Sequence, residues 1–262
     1  MSKKYFKKLE TNFLNNADYT ITLTHKAKEI IEKRYSSSST APPIEVIPCC
    51  SDLRLFDYSN ISEKETLERK KELGIAPESF VVSYIGSIGT WYMLDEMLKF
   101  FKVLQQEKPT SVFLFITRDH PQAIYSVSDT LQIDRSRIVI KPTDRNETPL
   151  YISISNISIF FILPSFSKQA SSPTKMGEIM GMGIPIICNA NVGDVETIVN
   201  DTGCGICIKE LSETSFKEAC NQIERLFTIP KSKIRAGAFK YYSLYEGSNL
   251  YHNVYERVCE IK

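Results

Sequence analysis

From residue 80 onward, short apolar runs alternate with longer stretches in which apolar residues recur every three or four positions. The runs at 80–85, 112–116, 138–140, 157–163, 185–188 and 205–208 are nearly continuous. That predicts strands buried on both faces rather than strands with one wet face. Between them, Leu94, Met97, Leu98, Phe101 and Leu104 mark one face of a helix. Further helices are expected near 121–131, 147–153 and 194–199. This βα alternation predicts an α/β fold: a doubly wound parallel sheet with helices on both faces and right-handed connections. Three closing helices carry Phe216, Ala219, Ile223 and Leu226; Ile234 and Ala238; and Tyr251, Val254, Tyr255 and Val258.

The part before residue 80 is less regular. Phe6, Leu9 and Phe13 have helical spacing, 19–24 reads as a short strand with Thr24 as a helix N-cap, and Ala27, Ile30 and Ile31 mark the next helix. A serine run closed by Ala-Pro-Pro at 36–43 predicts a linker. A strand follows at 44–47, a turn at 48–52, and an amphipathic, charge-dense helix at 62–73 that stops at Gly74.

Composition narrows the class. The 262 residues are 42% hydrophobic and 24% charged, the balance of a soluble globular protein with one large or two small domains. A net charge of +1 predicts no nucleic-acid footprint. Lys3, Lys4, Lys7 and Lys8 are not followed by a continuous apolar segment, so neither a signal peptide nor a membrane span is expected. The location read from this is cytoplasmic, with the inner membrane face as a candidate contact for those lysines. Seven cysteines without framework spacing fit a reducing compartment. Cys204 and Cys207 have CxxC spacing, but no second pair accompanies them and His25, His120 and His252 are scattered. They read as a glycine turn entering a strand.

Candidate chemistry sits in the loops after strands, because the ligand crevice of a doubly wound sheet lies outside the carboxyl ends of its strands. Residues 171–185 read as polar turn, short helix, glycine break and strand. The first N–H groups of such a helix can hold an anion such as phosphate. Pro173 suits the helix start, and Gly181 and Gly183 its end. Lys175 and Glu178, three apart, are neighbours on one helix face, either as a solvated pair or as a site. Gly86-Ser87-Ile88-Gly89 can approach a phosphate closely. The G-x-G-x-x-G fingerprint is absent, which argues against a dinucleotide oxidoreductase. Arg118 and Asp119 follow the second strand, and 141–145 the third. Trp91 and Tyr92 can wall a sugar or base, or plug the core.

These residues carry a family resemblance. Val46-Ile47-Pro48 with Ser51-Asp52, the strand ending in Gly86-Ser87, the stretch from Ser172 to Pro185 and Gly193-Asp194-Val195-Glu196 resemble the nucleotide-sugar-binding half of retaining GT-B glycosyltransferases of group 1. The resemblance implies a Rossmann-like donor domain over 44–245. Residues 1–43 would then be a remnant of the acceptor domain with its linker, and 246–262 a C-terminal packing helix. Glu178 would accept hydrogen bonds from the donor's ribose. The amides of Thr174 to Met176 with Gly86 and Ser87 would hold the diphosphate, Lys175 would supply charge, and Lys141 and Pro142 would contact the base. Arg118 and Pro173 complete the implied binding set. The implied donor is a UDP- or GDP-linked sugar, with no bound metal or other cofactor. The implied reaction is retaining transfer of a hexose-type sugar to a polysaccharide or glycolipid.

The pattern is incomplete. Its first glutamate, eight positions before the second, is Ala170, and Lys168 lies nearby. Where relatives carry an Arg and a Lys after the glycine loop, this chain has Thr90, Trp91 and Tyr92. Two readings follow: a transferase completed by a separate acceptor-domain protein, or a catalytically inactive interaction subunit or truncated fragment.

Overall fold

The computed structural model describes residues 3–35 and 43–260, so all but Pro43 of the linker expected at 36–43 lies outside the described residues. The chain opens with α1 (Lys3–Asn16), β1 (Thr20–Thr22), α2 (His25–Tyr35) and β2 (Ile44–Val46). After α3 (Glu63–Glu72) come β3 (Val81–Ile85), α4 (Leu94–Glu107), β4 (Val112–Ile116), α5 (Gln122–Thr130), β5 (Ile138–Lys141) and α6 (Thr148–Ile152). Then follow β6 (Ile157–Phe160), α7 (Thr174–Gly181), β7 (Ile186–Asn189), α8 (Val195–Thr202) and β8 (Gly205–Ile208). The chain closes with α9 (Glu213–Asn221), α10 (Ile223–Leu226), α11 (Lys231–Tyr242) and α12 (Leu244–Glu260).

Strands β3 to β8 form one parallel sheet in the order β5-β4-β3-β6-β7-β8. Every residue of β3, β4, β6 and β7 is buried, which is why these runs are continuous rather than alternating. From β3 the chain winds outward through β4 and β5, then crosses back to lay β6 against the other side of β3. The strand order therefore reverses between β3 and β6, and a crevice opens at their carboxyl ends. On one face, α4 buries Leu94, Met97, Leu98, Phe100, Phe101, Val103 and Leu104. Phe100 meets Phe161 and Phe216 with ring centroids 6.3 and 5.6 Å apart. Each such buried side chain contributes about 1.5–3 kcal/mol relative to exposure.

The smaller unit is a parallel β1–β2 pair in which Thr20 faces Ile44. β2, grouped with the larger unit in the sequence reading, pairs with β1 and not with the large sheet. Thr24 caps α2 as expected, accepting from the Ala27 N–H at 3.1 Å, while its hydroxyl donates to the Gln169 carbonyl at 2.6 Å. From α12, Arg257 reaches Tyr19 at 2.9 Å and Glu45 at 3.7 Å.

Three expectations differ in detail. α3 buries none of its residues and Leu67 is exposed, so the helix is held by its ends and charges instead of an apolar stripe. A capping box of Ser62 and Glu65 closes its start. In α12, Val254 is buried but Tyr251 and Tyr255 are exposed. Four helices close the fold rather than three, because a break at Gln222 separates α9 from α10. Among the described residues, no helix is long and apolar enough to cross a membrane.

Candidate functional site

A cleft of about 570 Å³ opens at the switch point, over Phe56 and Ile85. Its walls are Gly86 and Ser87 after β3, Thr117 to Asp119 after β4, Thr143 to Arg145 after β5, and Glu178 on α7. Helix α7 comes close because Gly177 has no side chain. A Cβ there would lie 2.5 Å from both Ser51 Oγ and Tyr242 Cγ. Pro173 is the residue before the first turn, and no side chain caps that end, which leaves the helix start to an outside acceptor of hydrogen bonds.

Lys175 and Glu178 are not a solvated pair. Glu178 is buried, and its Oε1 accepts from Arg145 Nη1 at 3.1 Å. Burial raises its pKa above the usual carboxylate value, while Arg145 and Lys175 hold the rise back. The Lys175 ammonium lies 3.6 Å from the centroid of the Tyr92 ring and 4.3 Å from that of Tyr84. It donates to the Tyr84 hydroxyl at 3.0 Å. Burial pushes its pKa down to about 7, against an upward pull from Glu178.

The glycine loop is organised by its own contacts. Gly86 has φ 105°, a backbone shape that glycine adopts freely. The Ser87 hydroxyl donates to Asp119 Oδ2 at 2.9 Å, and the Ile88 N–H donates to the same oxygen. The Gly86 N–H, expected among the donors to a diphosphate, donates to the Ile116 carbonyl at 3.0 Å as part of the sheet. The Met176 N–H is likewise taken by the Pro173 carbonyl at 3.0 Å.

The two cations at and after the end of β5, Lys141 and Arg145, turn different ways. Lys141 is the last residue of its strand and turns to α3, donating to Glu72 at 2.9 Å with its ammonium 4.8 Å from the Tyr151 ring centroid. Lys141 and Pro142 do not line the cleft, whereas Thr143, Asp144 and Arg145 do. Arg118 lines the cleft, donating through Nε to the Thr143 carbonyl at 2.9 Å and pairing with Asp144. Beyond Tyr92, Trp91 is exposed, and the Lys168 ammonium sits 4.2 Å from its ring centroid. Neither ring simply plugs the core. Sequence reasoning missed Tyr84, and the signal for it was a phenol inside a fully buried strand, whose hydroxyl needs a partner.

Cys204 is buried just before β8, and the half-buried Cys207 on β8 faces Cys188 of β7. Among the described residues no cluster of His, Cys, Asp and Glu is placed to hold a metal ion. The cleft thus offers a buried carboxylate and two guanidinium groups, and α7 beside it adds an ammonium that titrates near neutrality and an uncapped helix start. Those groups suit a ligand that carries both hydroxyls and anionic oxygens.

Solved structures of the same shape include glycosyltransferases. A glycosyltransferase from Rickettsia africae ESF-5 superposes with a TM-score of 0.78 at 13% identity, covering 100% of this chain and 69% of that one. WaaG, a glycosyltransferase involved in lipopolysaccharide biosynthesis, gives 0.73 at 17% identity over 94% of this chain and 67% of that one. Anabaena Alr3699/HepE in complex with UDP-glucose gives 0.75 at 14% identity over 98% and 68%. The chain therefore spans about two thirds of each, and at these identities the likeness establishes the fold. No curated protein matches by sequence. The family described as glycosyl transferases group 1 matches residues 65–236, more than half of the chain, and so the chain belongs to the group 1 glycosyltransferases.

Proposed function

We propose that the chain binds a nucleoside-diphosphate sugar, uridine- or guanosine-linked, beside α7 and transfers a hexose-type sugar with retention to a polysaccharide or glycolipid. The observation that carries this reading is the Lys175 and Glu178 pair, enclosed on one turn of α7 at the switch point. Glu178 accepts hydrogen bonds from the ribose hydroxyls, sharing or releasing Arg145 as it does so. Lys175 and the start of α7 take the diphosphate. When the bond from the anomeric carbon to the diphosphate oxygen breaks, the electron pair goes to that oxygen, and the ammonium stabilises the charge. The cleft end lined by Arg118 and Arg145 takes the base. The HepE complex with UDP-glucose favours the uridine-linked donor. At the other end of the chain, α1 exposes Tyr5, Phe6, Leu9 and Phe13 together with Lys4, Lys7 and Lys8, a combination that suits an anionic membrane surface.

Calorimetry with UDP and GDP tests the donor reading. One of them binds, and Glu178→Ala weakens it by roughly tenfold or more, the cost of losing charge-assisted hydrogen bonds. Absence of binding by both nucleotides at millimolar concentration would sink the reading. A second reading, an inactive interaction subunit, draws on Ala170, which is exposed where the family pattern carries a glutamate. Under that reading nucleotide still binds, every donor fails to turn over, and a partner protein copurifies.

A further inference from the structure

A lysine ammonium on four methylenes is a mobile charge, and holding it in one place costs side-chain entropy. At Lys175 that cost is met from β3. The Tyr84 ring lies 4.3 Å from the ammonium and its hydroxyl accepts from Nζ at 3.0 Å. The same hydroxyl donates to the Ser87 carbonyl in the glycine loop. One phenol therefore uses both of its hydrogen-bonding roles, one on Lys175 of α7 and one on the glycine loop. The Tyr92 ring, edge-on to Tyr84 with centroids 5.8 Å apart, covers the ammonium at 3.6 Å. Gly86 leaves the remaining space. A Cβ there would lie 3.2 Å from Nζ, tight enough to press on the ammonium. Among the described residues the only hydrogen-bond acceptor of Nζ is Tyr84, while Glu178 on the same helix is paired with Arg145.

We propose that Tyr84 is a positioning residue, which fixes the Lys175 ammonium and ties it through Ser87 to the glycine loop, so that lysine and loop present one preassembled anion site. The inference rests on the donor reading above for what the site holds. It goes beyond that reading in assigning the alignment of the cation to a residue outside α7. The charged and titratable groups around the ammonium are Tyr84 on β3, Tyr92 after the glycine loop and Glu178 on α7, with Asp119 acting on Tyr84 from the loop after β4. Neither tyrosine ionises near neutrality, since burial raises both phenols above their ordinary value. Of the amine and the two phenols, only the lysine titrates near pH 7.

The test is Tyr84→Phe, which keeps the ring and removes the hydroxyl. With lysine labelled at Cε, NMR follows the Lys175 titration, the resonance being assigned by its loss in Lys175→Gln. In Tyr84→Phe the titration moves to lower pH, because the ammonium has lost its acceptor. UDP affinity at pH 7 falls roughly tenfold, the effect of one hydrogen bond to a charged group. An unchanged lysine titration in folded Tyr84→Phe overturns the inference. Should that variant not fold, 3-fluorotyrosine placed at position 84 keeps the ring and the hydroxyl and weakens that oxygen as an acceptor for the ammonium. A held lysine then shifts its titration, and an unshifted one overturns the proposal. If wild-type protein binds no UDP and the lysine still moves in Tyr84→Phe, the donor reading fails and the positioning role stands. If wild type binds UDP and the lysine does not move, the outcome is reversed.

Discussion

Burial sets the Lys175 pKa at about 7 in the free protein, so near neutral pH the ammonium and the free amine coexist. An anionic ligand favours the ammonium and raises that pKa, which couples ligand binding to proton uptake. The favourable charge is fully present below about pH 7 and is lost as pH rises through the value in the complex. Nucleoside-diphosphate affinity is expected to fall by up to tenfold per pH unit above pH 7. The diphosphate itself has finished titrating there, since its last proton leaves near pH 6. Calorimetry at pH 8 in buffers of different ionisation enthalpy measures the uptake, which should approach one proton. A buffer-independent heat at that pH contradicts it. Lys175 and Glu178 were legible in the sequence because helical spacing sets them on one surface. Arg145 and Tyr84 were not. Which cation after β5 enters the cleft depends on where the strand ends, and it ends on Lys141, whose side chain turns away to Glu72. In β3 all five residues are buried, so no alternation singles out Tyr84.

At the scale of elements, the geometry of α7 depends on how its last turn is held. Arg235 of α11 donates to the carbonyls of Gly181, Phe56 and Leu53 at 2.8, 2.7 and 2.7 Å, and pairs with Asp57 at 2.6 Å. One guanidinium thereby fastens the end of α7 to the loop that supplies Phe56 to the cleft floor. Arg235→Met keeps much of the stem and leaves three carbonyls and a carboxylate without this partner. The expected loss is about 3 kcal/mol, because unsatisfied buried groups cost more than their bonds gain. Urea denaturation reads it, and a loss under about 1 kcal/mol would show that water replaces the guanidinium without penalty. The elements themselves were mostly visible in the apolar pattern, since parallel strands covered on both faces leave continuous runs. α3 was misread as amphipathic. Its charges serve its capping box, a pair between Arg69 and Glu72, and the ties of Glu72 to Lys141 and Tyr151.

Across the whole molecule, the small β1–β2 unit and the six-stranded sheet meet at a helix end. The N–H groups of His25 and Lys26 at the start of α2 donate to the two carboxylate oxygens of Asp194, at 2.7 and 3.2 Å. Asp194 stands at the start of α8, just after β7, so 169 residues of chain separate it from His25. No local pattern announces that pairing. The motif from Gly193 to Glu196 was legible, but its contact with α2 exists only once the sheet has brought the two regions together. A carboxylate there satisfies two orphan amides and complements the positive end of the helix dipole. Asp194→Ala removes both effects at a cost of about 1 kcal/mol. Because that energy lies between the units and not within the sheet, the change should be local. Amide exchange is expected to speed up in α2 and β1 by roughly fivefold, the factor that 1 kcal/mol gives, while β3, β4, β6 and β7 keep their protection. Exchange followed by mass spectrometry decides it. Unchanged protection of α2 would mean that Thr24 and the packing of α2 hold its start without Asp194, and uniform acceleration across the large sheet would mean that the two units unfold as one.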